Sequence, residues 1–257
     1  MNYNLPIKYI GANNYDYIVS LGNKCATTLV LRELNVYNES FPFDYISLPP
    51  CLILKYLNDS TRFYPLRNNI GNNDNVRFVH FNVNDKYDET IVTFKRRFQR
   101  LFNILINKKK ILFIYSSEAD IYNEKGNKYR DNYNELIKIR DFIKAKYNYN
   151  KFTIAAVHTN KLYEDIDNII NYTINVDKKY LSDNPYNQTV AVSNYYRSVL
   201  ARLLNNILKT PLQKCLRDSC NYLKHTNKMN NGGTHCCNLC KTKGTHGPAC
   251  IKLLKIK

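Results

Sequence analysis

Tryptophan is absent from this chain, methionine occurs twice, and glycine and proline occur eight times each in 257 residues. So little glycine and proline excludes a collagen-like or low-complexity chain. No apolar run approaches the roughly 18 residues that span a bilayer, which excludes a membrane-spanning helix. Residues 1–17 are polar and lack a basic stretch followed by an apolar one. No signal peptide is therefore expected, and the expected compartment is intracellular and reducing. Ser20-Leu21-Gly22-Asn23-Lys24-Cys25 fits neither the P-loop nor the dinucleotide fingerprint, so no nucleotide cofactor is expected. Internal repeats are absent as well.

What is present is a globular composition, 44% hydrophobic and 13% aromatic. It suits one large α/β domain, alone or with a small appendage, and is too apolar for a disordered chain. The excess of Asn, Lys, Tyr and Ile matches an AT-rich genome. Acids are scarce: 21 against 38 basic residues, a net charge of +17. Residues 209–257 hold ten Lys or Arg and the single acid Asp218. A tail this basic fits an acidic partner, nucleic acid before an anionic membrane surface, with plain solubility as the alternative.

Strand and helix signals alternate from about residue 15 to 208. Tyr17–Leu21 reads as a strand that ends at Gly22-Asn23, with Asn23 capping a helix that carries Leu29, Val30 and Leu34. Pro49-Pro50 opens a helix with Leu52, Ile53 and Leu57. Arg77–Phe81 reads as a strand. Phe94, Phe98, Leu101, Phe102 and Leu105 recur at helical spacing, with Arg96, Arg97 and Arg100 on the other face. Lys110–Tyr115 and Phe152–Val157 are apolar strands of the kind buried in parallel sheets, joined through a helix containing Leu136–Ile143. A weaker strand lies near Thr173–Val176, and residues 190–208 form a last helix. These signals add up to an α/β domain over residues 1–210, three layers with a mostly parallel sheet of four or five strands flanked by helices.

Residues 211–257 lack apolar periodicity and cannot build a core, so the segment needs a staple. Six of the eight Cys and three of the five His fall here. An intracellular Cys/His cluster reads as metal-binding before it reads as disulfides. Cys237 and Cys240 have the C-x2-C spacing that places two thiolates on one turn, and His246 and Cys250 complete a tetrahedral zinc set across a Gly-Pro turn. The set resembles a zinc knuckle with its His displaced by one residue. Cys215, Cys220, His225 and either His235 or Cys236 form a second candidate set. The expected cofactor is structural zinc, one ion or two.

Cys25 falls in the first turn of the first helix, where unpaired N–H groups and the positive helix end favour a thiolate. The carboxyl end of a strand in an α/β sheet is also where ligands bind. A cysteine nucleophile needs a base, for which His80 is the first candidate and His158 the second. Asp44 is a candidate to orient that base, as the third member of a triad does. Burial as a small core residue is the alternative for Cys25.

Residues 15–25, with Leu29, Leu31-Arg32 and Ser40-Phe41-Pro42-Phe43-Asp44-Tyr45, resemble the opening of a viral and bacterial family labelled papain-like cysteine peptidases. The pattern is a Ser-Leu-Gly-x-x-Cys turn, then Ser-Phe-Pro-Phe-Asp and an aromatic residue, then a His-Phe strand, an Arg-rich helix and an apolar strand. The later parts match His80-Phe81, Arg96-Arg97-Phe98 and Ile111–Ile114, so the likeness spans residues 15–157. Tyr45 stands where Trp is commoner. The resemblance implies a cysteine hydrolase of a large DNA virus or a similar AT-rich genome, acting in the host cytoplasm if viral, on an acyl or peptide substrate. It implies Cys25 as nucleophile, His80 as base and Asp44 as an auxiliary polar group. The strand–helix alternation is closer to a flavodoxin- or esterase-type sheet, in which Ser20 or Cys25 would serve acyl or glycosyl transfer. A non-catalytic scaffold whose zinc tail recruits nucleic acid or protein is the third reading.

Deleting residues 211–257 is expected to abolish salt-dependent retention of the protein on RNA or DNA. Unchanged retention on a nucleic-acid column across a salt series would contradict nucleic-acid binding by the tail.

Overall fold

The computed structural model describes residues 8–22, 25–37, 39–117, 132–175 and 190–209, together with Cys240, Thr242 and Lys243. Its elements run β1 (Tyr17–Ser20), α1 (Ala26–Glu33), α2 (Pro50–Asn58), α3 (Tyr87–Ile106), β2 (Ile111–Ser116), α4 (Asn132–Tyr147), β3 (Phe152–Thr159), β4 (Ile169–Ile174) and α5 (Val190–Leu208). The four strands form one parallel sheet in the order β1-β2-β3-β4. This is the expected α/β architecture.

Side chains alternate across the sheet, because successive residues of a strand point to opposite faces. Val19, Phe113, Tyr115, Ile154 and Ala156 face α2, α3 and α4, within the larger core. Ile18, Leu112, Ile114, Ala155, Val157 and Tyr172 face α1 and α5, within the second core. With helices on both faces β2 is buried along its whole length, which is why its sequence is a continuous apolar run. The β3–β4 link is only residues 160–168 and contains no helix, shorter than the usual parallel crossover.

On the α2–α3 side the core is aromatic. The fully buried Phe63 meets Phe43, Tyr56, Phe78, Phe94 and Phe98 edge-on, at centroid distances of 5.1 to 6.1 Å. Each such pair contributes about 0.5–1.5 kcal/mol beyond its buried area. Phe43 and Phe78 thereby fix two irregular segments, residues 39–48 and 76–83, against α3.

The expected strand at Arg77–Phe81 does not form. Only Phe78 of its first four residues is buried; Val79 is 60% exposed and His80 lies on a turn. Arg77 makes one isolated bridge to Gly71, and the aromatic hub holds Phe78 without any sheet neighbour. The other expected elements occur with shifted ends: the weak strand begins at Ile169, and the Arg-bearing helix extends back to Tyr87.

The shortage of glycine is met by asparagine. Asn35, Asn68, Asn75, Asn148, Asn160 and Asn168 all take positive φ. Asn tolerates the left-handed region better than other side chains do. Asn35 follows α1 and Asn148 follows α4, the places where glycine usually ends a helix. Codon bias toward Asn thus acquires a structural use.

Candidate functional site

The site begins where β1 hands the chain to α1. Gly22 has φ 73, a backbone conformation that strains any other residue, while a Cβ there would make only ordinary contact with the Ile46 carbonyl and Leu48. Gly22 N–H donates to Ser20 Oγ at 3.2 Å, which consumes the buried Ser20 hydroxyl as an acceptor. The expected cap Asn23 lies outside the described residues. Cys25 itself occupies the cap position of α1, half-buried, with helical φ and ψ, and its carbonyl accepts the Leu29 N–H at 3.0 Å.

At 3.6 residues per turn, Thr28 and Arg32 share the helix face of Cys25, one and two turns further on. Thr28 Oγ1 donates to Asp44 Oδ1 at 3.1 Å, and the Phe41 N–H donates to Asp44 Oδ2 at 2.5 Å. Asp44 has no exposed surface. Its carboxylate thus ties the face carrying the thiol to the Phe41–Tyr45 turn. The neighbouring Tyr45 has φ 62, a conformation uncommon for a large side chain. Strain of this kind costs on the order of 1–3 kcal/mol and persists only where the surroundings enforce it. Asp44 enforces it from one side. From the other, the Tyr45 ring meets the Arg32 guanidinium at 5.2 Å and the His80 ring at 5.7 Å.

The third wall is α3. Arg97 lies against the faces of Phe81 and Phe94, at 5.3 and 5.2 Å. Arg100 pairs with Glu39 at 2.6 Å and donates to the Ser40 carbonyl. Burial pushes the Asp44 carboxyl up to about 7, while the Phe41 N–H, Arg97, Thr28 and Arg32 pull it down. Burial likewise lowers Arg97, opposed by Asp44 and reinforced by Arg32, Arg96 and Arg100.

His80 is exposed, at the Tyr45 edge of this cluster. Asp44 is engaged by Thr28 and Phe41, so the hydrogen bonds in evidence at Asp44 lead to α1 and its own turn rather than to an imidazole. His158, the second candidate base, is 2% exposed on β3 between Tyr115, Tyr133 and Tyr163, with Nε2 2.9 Å from Asn171 Oδ1. Burial pushes it down to about 4, which makes it a weak base at neutral pH. Further hydroxyls meet at the carboxyl ends of the strands: Thr27 with Ser116 at 2.7 Å, and Ser117 with Thr159 at 3.1 Å. Two surface grooves of about 410 and 530 Å³ lie toward the opposite end of β1, and neither is lined by Cys25, Asp44 or His80.

Thr28 and the pairing of Arg32 with Arg97 around Asp44 did not follow from the motifs alone. The i, i+3, i+7 spacing from Cys25 is the signal that marks Thr28 and Arg32. Nothing in the sequence places Arg97 opposite them, because that contact depends on how α3 packs.

Of the expected zinc ligands only Cys240 is described, and it is buried. Cys215, Cys220, His225, His235, Cys236, Cys237, His246 and Cys250 lie outside the described residues. Among the described residues no group of three or more His, Cys, Asp or Glu is placed to hold a metal. No helix among them is long and apolar enough to cross a membrane.

Asp44 and His158 have opposite effects on stability. The Asp44 value in the fold lies above its ordinary value, so its contribution is full below about pH 4 and is lost as pH rises through about 7. The His158 value lies below its ordinary one, so its contribution is full above about pH 6.5 and is lost as pH falls through about 4. Asp44→Asn is expected to remove a loss on the order of 2–4 kcal/mol between about pH 4 and 7, and His158→Gln to remove the opposite trend. Urea unfolding at several pH values measures both. An Asp44→Asn curve parallel to the parent's would contradict the Asp44 assignment.

No family model, no curated protein and no solved structure matches this chain.

Proposed function

We propose that the chain is a cysteine-nucleophile hydrolase in which the Cys25 thiolate attacks an acyl or peptide carbonyl. One observation carries this reading: a half-buried cysteine caps α1 at the carboxyl end of β1, on the helix face that meets the Asp44–Tyr45–His80 cluster. The place is chemically apt. Carboxyl ends of parallel strands are the ligand-binding edge of such sheets, and the N–H groups of the first helical turn stabilise a thiolate or an oxyanion.

The attack forms a bond from Sγ to the carbonyl carbon, and the thiol proton passes to a base. Collapse of the tetrahedral adduct expels the leaving amine or alcohol, which takes that proton. Water then cleaves the thioester and restores the thiol. His80 is the better placed candidate for that base: it is exposed at the cluster, whereas His158 is sealed among tyrosines with depressed basicity. Asp44 serves as an anchor for the Tyr45 turn, since one of its oxygens accepts from α1 and the other from the turn itself. The likeness of residues 15–25 and 40–45 to the papain-like cysteine peptidase family supports the same nucleophile. Structural zinc in residues 211–257, held by Cys237, Cys240, His246 and Cys250, belongs to the proposal, as does recruitment of nucleic acid by that basic tail.

Iodoacetamide at near-neutral pH is expected to label Cys25 ahead of the other non-zinc thiols, Cys25→Ala to abolish the fast phase, and His80→Ala to slow it. Peptide mapping measures the order of labelling. A Cys25 that stays unmodified while other thiols react would contradict a nucleophilic role.

A further inference from the structure

Arg97 stands out among the described residues. Its Nη1 is buried and has no hydrogen-bond partner there. A guanidinium is always charged and presents five donors, so an unmatched buried donor is costly. The aromatic faces of Phe81 and Phe94 hold the group in place without satisfying it. Arg32 approaches from α1, stacked on Tyr37 at 5.4 Å and Tyr45 at 5.2 Å, and donates to Ser40 Oγ at 3.2 Å.

The neighbouring charges do not balance. Arg100 is neutralised by Glu39, but Asp44 is the acid that acts on both Arg97 and Arg32, and its two observed hydrogen bonds come from Thr28 and Phe41. Two guanidiniums thus face one buried carboxyl, with exposed Arg96 adding to the excess. Rigid, stacked guanidiniums match the planar edge of an oxyanion, either carboxylate or phosphate, through paired N–H donors.

We infer that Arg97 and Arg32 form a binding site for an oxyanion, a carboxylate or a phosphate group of the substrate, beside the Cys25 face of α1. The inference deepens the hydrolase reading by naming an anionic substrate class, and the anion site itself requires no reactive thiol. Arg97 provides the unmatched buried donor, Arg32 the second guanidinium, and Asp44 fixes the spacing between α1 and the Tyr45 turn.

Calorimetric titration of the full chain at constant ionic strength tests this, with inorganic phosphate in one arm and acetate in the other. Saturable binding of phosphate assigns a phosphate-bearing substrate, and saturable binding of acetate assigns a carboxylate-bearing one. Arg97→Gln and Arg32→Gln are each expected to weaken the bound anion by roughly tenfold or more, the equivalent of losing a charged hydrogen-bonded pair. Lys95→Gln, one residue from Arg96 and exposed on α3, is expected to leave affinity unchanged. If Arg97→Gln does not fold, the exposed Arg32→Gln carries the test. Cys25→Ser is expected to bind the anion as the parent does, which separates this site from the thiol chemistry. Absence of saturable binding in both arms, undiminished binding in Arg32→Gln, or equal weakening by Lys95→Gln would overturn the inference.

Discussion

A single carboxylate with no exposed surface holds this site together. Asp44 accepts from Thr28 on α1 and from the Phe41 N–H, so one side chain spans a helix and the turn that follows it in sequence. Both bonds are made inside a core where the carboxyl has no water to fall back on. Removing either partner would leave a buried carboxyl oxygen unmatched, and that asymmetry makes the link stronger than its two hydrogen bonds suggest. Through it the Cys25 face of α1, the strained Tyr45 and the His80 ring acquire a fixed relation.

The fold supplies the conditions for that arrangement. Helices cover both faces of the sheet, and β1, at its edge, delivers its carboxyl end directly into the turn that leads to α1. The aromatic hub around Phe63 orients the irregular segments 39–48 and 76–83, which carry Asp44 and His80, because rings packed edge-on leave little freedom to slide. Arginines then enter over aromatic faces, where their charge is tolerated without a carboxylate partner. Burial raises Asp44 and lowers Arg97 together, because removal from water disfavours both charged forms, and each group partly offsets the shift of the other.

Much of this was legible in the order of residues. Continuous apolar strands at 111–115 and 152–157 announced a buried parallel sheet, and the periodic phenylalanines of α3 announced its inward face. The turn at Gly22 and the cysteine after it were legible for the same reason: local chemistry decides them. What escaped was decided by packing. Phe78 looked like one residue of a strand because alternation is all that a short window records, yet it is an aromatic peg with no sheet beside it. His158 stood second to His80 as a base on position alone, and its tyrosine enclosure is what sets it aside. Asp44 looked like an orienter of histidine, whereas its observed hydrogen bonds go to Thr28 and Phe41, partners separated from it by 16 and 3 residues. The Arg97 environment depends on the approach of α3 to α1, which no local pattern encodes.

The most direct test of the account is the titration of the Asp44 carboxyl carbon by carbon-13 NMR in the folded full-length chain. A sealed anchor between α1 and the Tyr45 turn predicts a midpoint raised to about 7. A midpoint near the ordinary value of 3.8 would contradict the account, because the charged carboxylate would then cost no more in the fold than in water.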